Sequence, residues 1–335
     1  MFQKTLSFDD VLLVPQMSSI KSRKEVDLSS TINEKVFKLP IISSPMDTVT
    51  GAEMAATMSE NGGFGILHRY NSIVDQVEMV KKSNAANIGA AIGVTGDYLE
   101  RARELTDAGV FVLCIDVAHG HHISVKSALA NLRKHLGEDV VIMAGNVATA
   151  EAFNDLEDWG ADVIRVGVGG GSICSTRIQT GHGVPTFHSV LSVALRAKRA
   201  LIVADGGIKS AGDAVKSFAA GADFVMLGSL LAGTDESPGQ IFSSNEGKKY
   251  KVYRGMASAE AQLDWKGEAN SLEGISTTIP YKGSVKNMLS LLDQNIRSGF
   301  SYSGAVNLKD FQQKVKMIEQ TQAGMKESFT HILTK

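Results

Sequence analysis

The stretch Gly167-Val-Gly-Gly-Gly-Ser-Ile-Cys-Ser-Thr-Arg177 sets a cysteine among small, polar and cationic neighbours. That cysteine, Cys174, is one of only two in 335 residues. An accessible thiol near a guanidinium favours the thiolate, the form that attacks electrophilic carbon. Residues 172–177 therefore suit a nucleophile, with a tight structural turn as the competing reading. Cys114 is the internal contrast. It lies inside the apolar run Val-Phe-Val-Leu-Cys-Ile-Asp-Val (110–117) and reads as a small buried hydrophobe.

Gly206–Gly207 and Gly228–Ser229 each follow an apolar run. Glycines at such positions let backbone N–H groups close on an anion. Asp205, beside the first pair, suits the hydroxyls of a sugar. Two such turns on neighbouring strands favour a phosphate site over two unrelated tight turns. Gly167–Ser172 fails as a dinucleotide fingerprint, because Ser172 stands where the last glycine belongs. His119, His121 and His122 invite a metal, but histidines this closely spaced do not readily converge on one ion. A polar rim or a substrate contact is expected there instead.

These residues must be carried by regular elements. Apolar runs recur at 39–46, 62–68, 88–94, 110–117, 140–147, 162–168, 201–208 and 224–233. They are continuous in Val and Ile rather than alternating, which suits parallel strands buried on both faces. Amphipathic patterns lie between them, as in Leu99, Ala102, Leu105 and Ala108, or Phe187, Val190, Leu191, Ala194 and Leu195. Gly109, Gly160 and Gly221 each fall where a helix gives way to a strand and positive φ is wanted. The alternation predicts an α/β fold, a (β/α)8 TIM barrel in a single domain over residues 1–335, with a doubly wound sheet as the alternative. Two connections are expanded: a cysteine loop at 167–184 after the sixth run, and a flap at about 240–282 after the eighth. Active sites of such barrels lie on the loops that follow the strands.

The chain is 43% hydrophobic and 21% charged, with a formal net charge of −2. No strong field directs it to nucleic acid or to an anionic membrane. Sparse cysteine suits a reducing compartment, the start Met-Phe-Gln-Lys-Thr-Leu shows no leader pattern, and no apolar run approaches the ~18 residues of a membrane span. A cytoplasmic protein is expected.

In order along the chain come SFDDVLLVP, SSPMDTVT, GGFGILHR, AGNVATAE, GGGSICSTR, ADGGI, MLGSLLAG and YRGM. This set resembles the IMP dehydrogenase / GMP reductase superfamily over nearly the whole chain. The resemblance implies a homotetramer that binds a purine ribonucleotide and a nicotinamide cofactor, with Cys174 attacking purine C2. It implies Thr176 and Glu273 as a proton relay and Arg69 as a positive charge beside it. Ser172, Gly206, Gly207, Gly228, Ser229 and Tyr253 fall to the phosphate, Asp205 to the ribose, and Gly255, Met256 and Gly274 to the base. The nicotinamide side falls to Asp116, Val117, Ala118, Val168 and Gly169. Ser22 and Arg23 match a segment that holds the phosphate-bearing end of NADPH, and Ser298 and Ser301 reach the adenosine end from a neighbouring subunit. Carbonyls of Gly169, Gly171 and Cys174 are implied ligands of a monovalent cation, K⁺.

Three features favour the reductase branch, which converts GMP and NADPH to IMP, ammonia and NADP⁺. No CBS module interrupts the chain after the second run. The segment between Met256 and Glu273 lacks the adjacent Arg and Tyr with which dehydrogenases prepare water. Ile20-Lys-Ser-Arg-Lys matches the reductases, and a guanidinium at Arg23 suits a phosphomonoester. Against this, SSPMDTVT, IQTGHGVP and YRGM look more like dehydrogenases, and Gly170 stands where both branches have proline. The alternatives are an NAD-dependent IMP dehydrogenase and a non-catalytic barrel that binds purine nucleotides.

Overall fold

In a computed structural model, which describes residues 3–270 and 272–330, the eight apolar runs form eight parallel strands closed into a barrel. The strands are β1 (Ile41–Ser43), β2 (Phe64–Leu67), β3 (Ile88–Ile92), β4 (Val112–Asp116), β5 (Val141–Val147), β6 (Val163–Val166), β7 (Leu201–Asp205) and β8 (Phe224–Leu227). The main helices between and after them are α1 (Ala52–Glu60), α2 (Ile73–Ser83), α3 (Tyr98–Asp107), α4 (Ile123–Leu136), α5 (Ala150–Asp158), α6 (Thr186–Ala194), α7 (Ala211–Ala219) and α8 (Val285–Tyr302). Parallel pairing of β6 with β7, β7 with β8 and β8 with β1 closes the circuit, so the doubly wound alternative is excluded.

Side chains alternate across each strand, which explains why both faces had to be apolar. Ile42, Phe64, Ile66, Cys114, Met143, Val163, Val203 and Met226 fill the barrel interior. Ile41, Leu67, Leu113, Ile142, Ile164 and Val225 face outward and pack with the helices. A hairpin of Ser30–Ile32 and Lys35–Phe37 brings Phe37 against the interior, 4.8 Å from Phe64 and 5.7 Å from Phe224 between ring centroids. Burial pushes the Cys114 thiol up to about 12, which removes it as a nucleophile near neutral pH. Continuing the alternation one step past this apolar layer puts Asp116, Arg165 and Asp205 at the carboxyl-end mouth of the barrel.

Local chemistry sets the helix ends as expected. Gly109, Gly160 and Gly221 have φ of 95°, 102° and 107°. Ser72, Thr149, Ser210 and Ser284 cap helix starts with side-chain acceptors. His122 does the same for α4, and His121 binds Asp155 at 2.8 Å and stacks on Trp159. Among the described residues no cluster of metal-ligating side chains forms. The stripe on α6 is shorter than its pattern suggested. Phe187 and Val190 are buried, but the helix ends at Ala194 and leaves Leu195 80% exposed. No helix among the described residues is long and apolar enough to cross a membrane.

Above the mouth, β9 (Phe242–Ser243), β10 (Lys249–Arg254) and β11 (Ser276–Pro280) form an antiparallel sheet. A helix, Ala259–Lys266, lies in the β10–β11 connection.

At the opposite end of β7, the Asp223 carboxylate accepts the Ile202 N–H at 2.8 Å. Burial pushes its pKa up to about 6 from an ordinary 3.8. The folded state therefore binds the extra proton between these values, and this group's contribution to stability is lost as pH rises through 6. Asp223→Asn keeps an acceptor and removes the charge. Its melting temperature is expected to exceed that of the parent at pH 8 by a few degrees, roughly 1–2 °C per kcal/mol at this size. The gain should vanish near pH 4, and equal gains at both pH values would contradict the assignment.

Candidate active site

Two distant segments meet over the mouth of the barrel. Ile275 N–H donates to Ile173 O at 3.1 Å, and Ser175 N–H donates to Glu273 O at 2.9 Å. Cys174 and Gly274 form an antiparallel bridge between them. The pairing brings three side chains into a line. The Cys174 thiol lies 3.2 Å from Thr176 Oγ1, and that hydroxyl donates to Glu273 Oε2 at 2.7 Å, across 97 residues of sequence.

Cys174 opens into a cavity of about 390 Å³ whose wall includes Arg69, Thr176 and Glu273. At one end the wall is built from Ser172, Gly206, Gly207, Gly228, Ser229 and Tyr253. Gly206 and Gly207 have φ of 95° and 79°, which L side chains rarely adopt. Tyr253 is almost wholly buried, with its hydroxyl 3.4 Å from Ser172 Oγ, and burial pushes the phenol above its usual range. A neutral phenol and serine hydroxyls are the donors an anion needs. Gly255, Met256 and Gly274 line the same cavity, as do Asp116, Val117, Ala118, Val168, Gly169 and Gly171.

The floor holds a charge that sequence reasoning missed. Arg165, only 6% exposed, donates from Nη1 to Asp116 Oδ1 at 2.6 Å, and from Nη2 to Asp205 Oδ2 at 2.9 Å. Burial opposes its charge, but Asp205 and Asp116 outweigh burial and hold the guanidinium protonated. Asn146 Nδ2 also donates to Asp205 Oδ2, at 2.8 Å. Among the described residues both side-chain partners of Asp205 thus use one oxygen, and the other accepts no hydrogen bond. The available signal was an arginine at an inward position of an otherwise apolar run. Tyr70, Ser44 and Met46 on the cavity wall were missed as well.

Arg69 donates to the Asp116 carbonyl from Nε at 3.3 Å and Nη2 at 3.2 Å. Tyr70 stacks on Trp265 of the flap helix, with centroids 5.9 Å apart. Arg254 holds the flap down, binding Asp47 at 2.6 Å and Asp264 at 2.6 Å. Four expected residues lie elsewhere. Ser22 caps the turn Arg23–Glu25, which packs on α8, and Ser301 Oγ donates to Ser298 O at 2.7 Å; none of Ser22, Arg23, Ser298 and Ser301 lines the cavity.

Two further residues shape the cysteine loop. Arg177 donates to Val184 O at 2.8 Å and packs on Gly169 and Gly183, which closes the loop. Gly170 has no need of positive φ, yet a Cβ there would lie 2.5 Å from Thr186 Oγ1. Thr186 is buried and that hydroxyl has no partner among the described residues. Gly170→Ala is therefore expected to displace the cysteine loop and lower kcat about tenfold or more, since ~1 Å misplacement costs up to 10²-fold. Adding Thr186→Ala should restore most of the loss. A double variant no better than the single would refute the steric account.

The family model described as "IMP dehydrogenase / GMP reductase domain" matches residues 5–331. A GMP reductase from Paracidovorax citrulli is 40% identical over 90% of this chain and 92% of its own. A GMP reductase from Leishmania major is 32% identical over 98% and 97%, and an inosine-5'-monophosphate dehydrogenase from Nitrosopumilus maritimus is 32% identical over 98% of each. Among solved structures, a GMP reductase variant from Trypanosoma brucei in complex with guanosine 5'-monophosphate superposes with a TM-score of 0.93, at 29% identity and 98% coverage of both chains.

Proposed function

We propose that this chain, which belongs to the IMP dehydrogenase / GMP reductase family, is a GMP reductase. The overall conversion is GMP, NADPH and a proton to IMP, ammonia and NADP⁺. The observation that carries this reading is the unbroken chain from Cys174 through Thr176 to Glu273.

The Cys174 thiol passes its proton through the Thr176 hydroxyl to Glu273, the sulfur bonds to C2 of the purine, and the bond from C2 to the amino nitrogen breaks. The departing nitrogen needs a proton, which Glu273 supplies through the Thr176 hydroxyl, a group able to accept and donate at once. The nicotinamide cofactor, when bound, supplies a hydride to C2. Cys174 then leaves as thiolate, and Arg69 adds positive charge near the reacting ring. Ser172, Gly206, Gly207, Gly228, Ser229 and Tyr253 hold the phosphate, Asp205 the ribose, and Gly255, Met256 and Gly274 the base. Asp116, Val117, Ala118, Val168 and Gly169 share the cavity with Cys174 and fit the nicotinamide side. On the same reading Ser22 and Arg23 hold the 2′-phosphate, and Ser298 and Ser301 reach the cofactor within a cytoplasmic homotetramer of single-domain subunits without CBS modules. Carbonyls of Gly169, Gly171 and Cys174 would hold K⁺.

IMP dehydrogenase is the second reading, and one observation favours it. Arg69 and Tyr70, an adjacent guanidinium and phenol, both line the cavity. However, Arg69 is bonded to the Asp116 carbonyl, and burial pushes the Tyr70 phenol further from the anion that would take a proton from water.

Absorbance of the reduced nicotinamide separates the readings. The signal should fall with GMP and NADPH and stay flat with IMP and NAD⁺; a rise in the second mixture alone makes the chain a dehydrogenase, and silence in both makes it a binder. Cys174→Ala should abolish turnover, and Glu273→Gln should lower kcat by about 10² with little change in KM, as loss of a general acid does. Retained turnover in Cys174→Ala rules out the covalent route.

A further inference from the structure

The phosphate end of the cavity is built from neutral donors. Its hydroxyls and glycine amides include no cationic side chain, and among the described residues the only cations on the cavity wall are Arg69 and Arg165. Arg165 is committed to two carboxylates, and Arg69 to a carbonyl on β4. A phosphomonoester dianion seated there would meet dipoles but no compensating charge within the wall.

One ammonium lies just behind that wall. Lys282 Nζ donates to Ser229 O at 2.5 Å and to Leu230 O at 3.1 Å. Ser229 itself faces the cavity. Lys282 is half-buried and makes no ion pair with a carboxylate among the described residues. Lys251 is similar one turn further on, bound to the carbonyls of Thr234 at 2.9 Å and Ser237 at 2.5 Å, and it is almost wholly buried. The turn that begins at Gly228 thus presents its first residues to the cavity and its carbonyls to lysine. Cations at the carbonyl end of a turn favour an anion at the amide end, as in a helix dipole.

We propose that Lys282 is a positioning residue that supplies, through the Ser229 turn, the positive charge needed by the nucleotide's phosphate dianion. The inference rests on the reading of this cavity end as a phosphate site. Burial alone holds the Lys282 pKa down, at about 8, as befits an ammonium poorly solvated and without a counter-charge. An arriving dianion relieves that situation. Lys251 lies beside residues 234–237, away from the cavity wall, and serves only to hold the turn.

The test compares equilibrium binding of GMP and IMP with that of guanosine and inosine by calorimetry. Lys282→Gln keeps a donor for the two carbonyls and removes the charge. It should weaken both nucleotides about tenfold, as expected for one charge at intermediate distance and effective dielectric, and leave both nucleosides unchanged. Lys282→Arg should retain the parent's preference for nucleotide over nucleoside. Lys251→Gln should lower the melting temperature without altering that preference. Equal weakening of nucleotides and nucleosides by Lys282→Gln, or no weakening of either, overturns the proposal, as does loss of nucleotide preference in Lys282→Arg. Use of both GMP and IMP makes the result independent of reaction direction. If the parent protein binds neither nucleotide, it is the site reading that has failed.

Discussion

The backbone pairing of residues 173–175 with 273–275 is the contact on which the site depends. The Cys174 thiol and the Glu273 carboxylate share no element, and only the register of this short antiparallel bridge sets them on either side of Thr176. Alternation along extended chain makes that register exacting. A slip of one residue would turn the carboxylate to the opposite face and leave the threonine hydroxyl without its acceptor. The net worth of each hydrogen bond is about 1 kcal/mol, so the bridge fixes a geometry without locking the two segments together. Arg254, which ties Asp47 of the barrel to Asp264 of the flap helix, adds a second hold at some distance from the chemistry.

The floor beneath this bridge solves a different problem. Three charged groups stand where the barrel interior turns from apolar to wet, and a buried charge persists only when paired and hydrogen-bonded. Arg165 meets this by dividing its guanidinium between Asp205 on the neighbouring β7 and Asp116 on β4, two strands away on the other side. The consequence is rigidity. Asp205 presents one fixed oxygen to the cavity, and the β4 end is held in position relative to β7. Because the carboxylates already claim Arg165, the cavity end beside Tyr253 is left with amides and hydroxyls.

How much of this was legible in the sequence follows from which interactions leave a local mark. Burial on both faces writes a continuous apolar run, so all eight barrel strands could be read. Positive φ writes a glycine, so Gly109, Gly160 and Gly221 were read with their cause. Cys174 and Cys114 were separable because their neighbours differ. Thr176 and Glu273 were reached only through family resemblance, since a backbone bridge across 97 residues leaves no local pattern. Arg165 was overlooked because one charge in an apolar strand reads as noise until the barrel closes around it. Gly170 was readable as a departure from proline but not as a steric fit to Thr186, whose contact exists only once the cysteine loop folds back on α6.

The same distinction bears on reaction type. Hydrolysis of a sulfur-bound purine requires a base able to reach C2 and take a proton from water. Among the flap residues 257–270 and 272 there is neither arginine nor tyrosine, although Arg69 and Tyr70 supply both groups from the loop after β2. Chemical identity alone is not enough, because each group is already engaged. The guanidinium is hydrogen-bonded to Asp116 O, and the phenol ring is stacked on Trp265 while burial holds its hydroxyl protonated. Glu273, by contrast, accepts from the hydroxyl beside the thiol, so a proton that leaves Cys174 can reach it and return along the same path. On the proposed reading the relay returns its proton to a leaving nitrogen and is not used to take one from water, which is the difference between expelling ammonia and adding hydroxide.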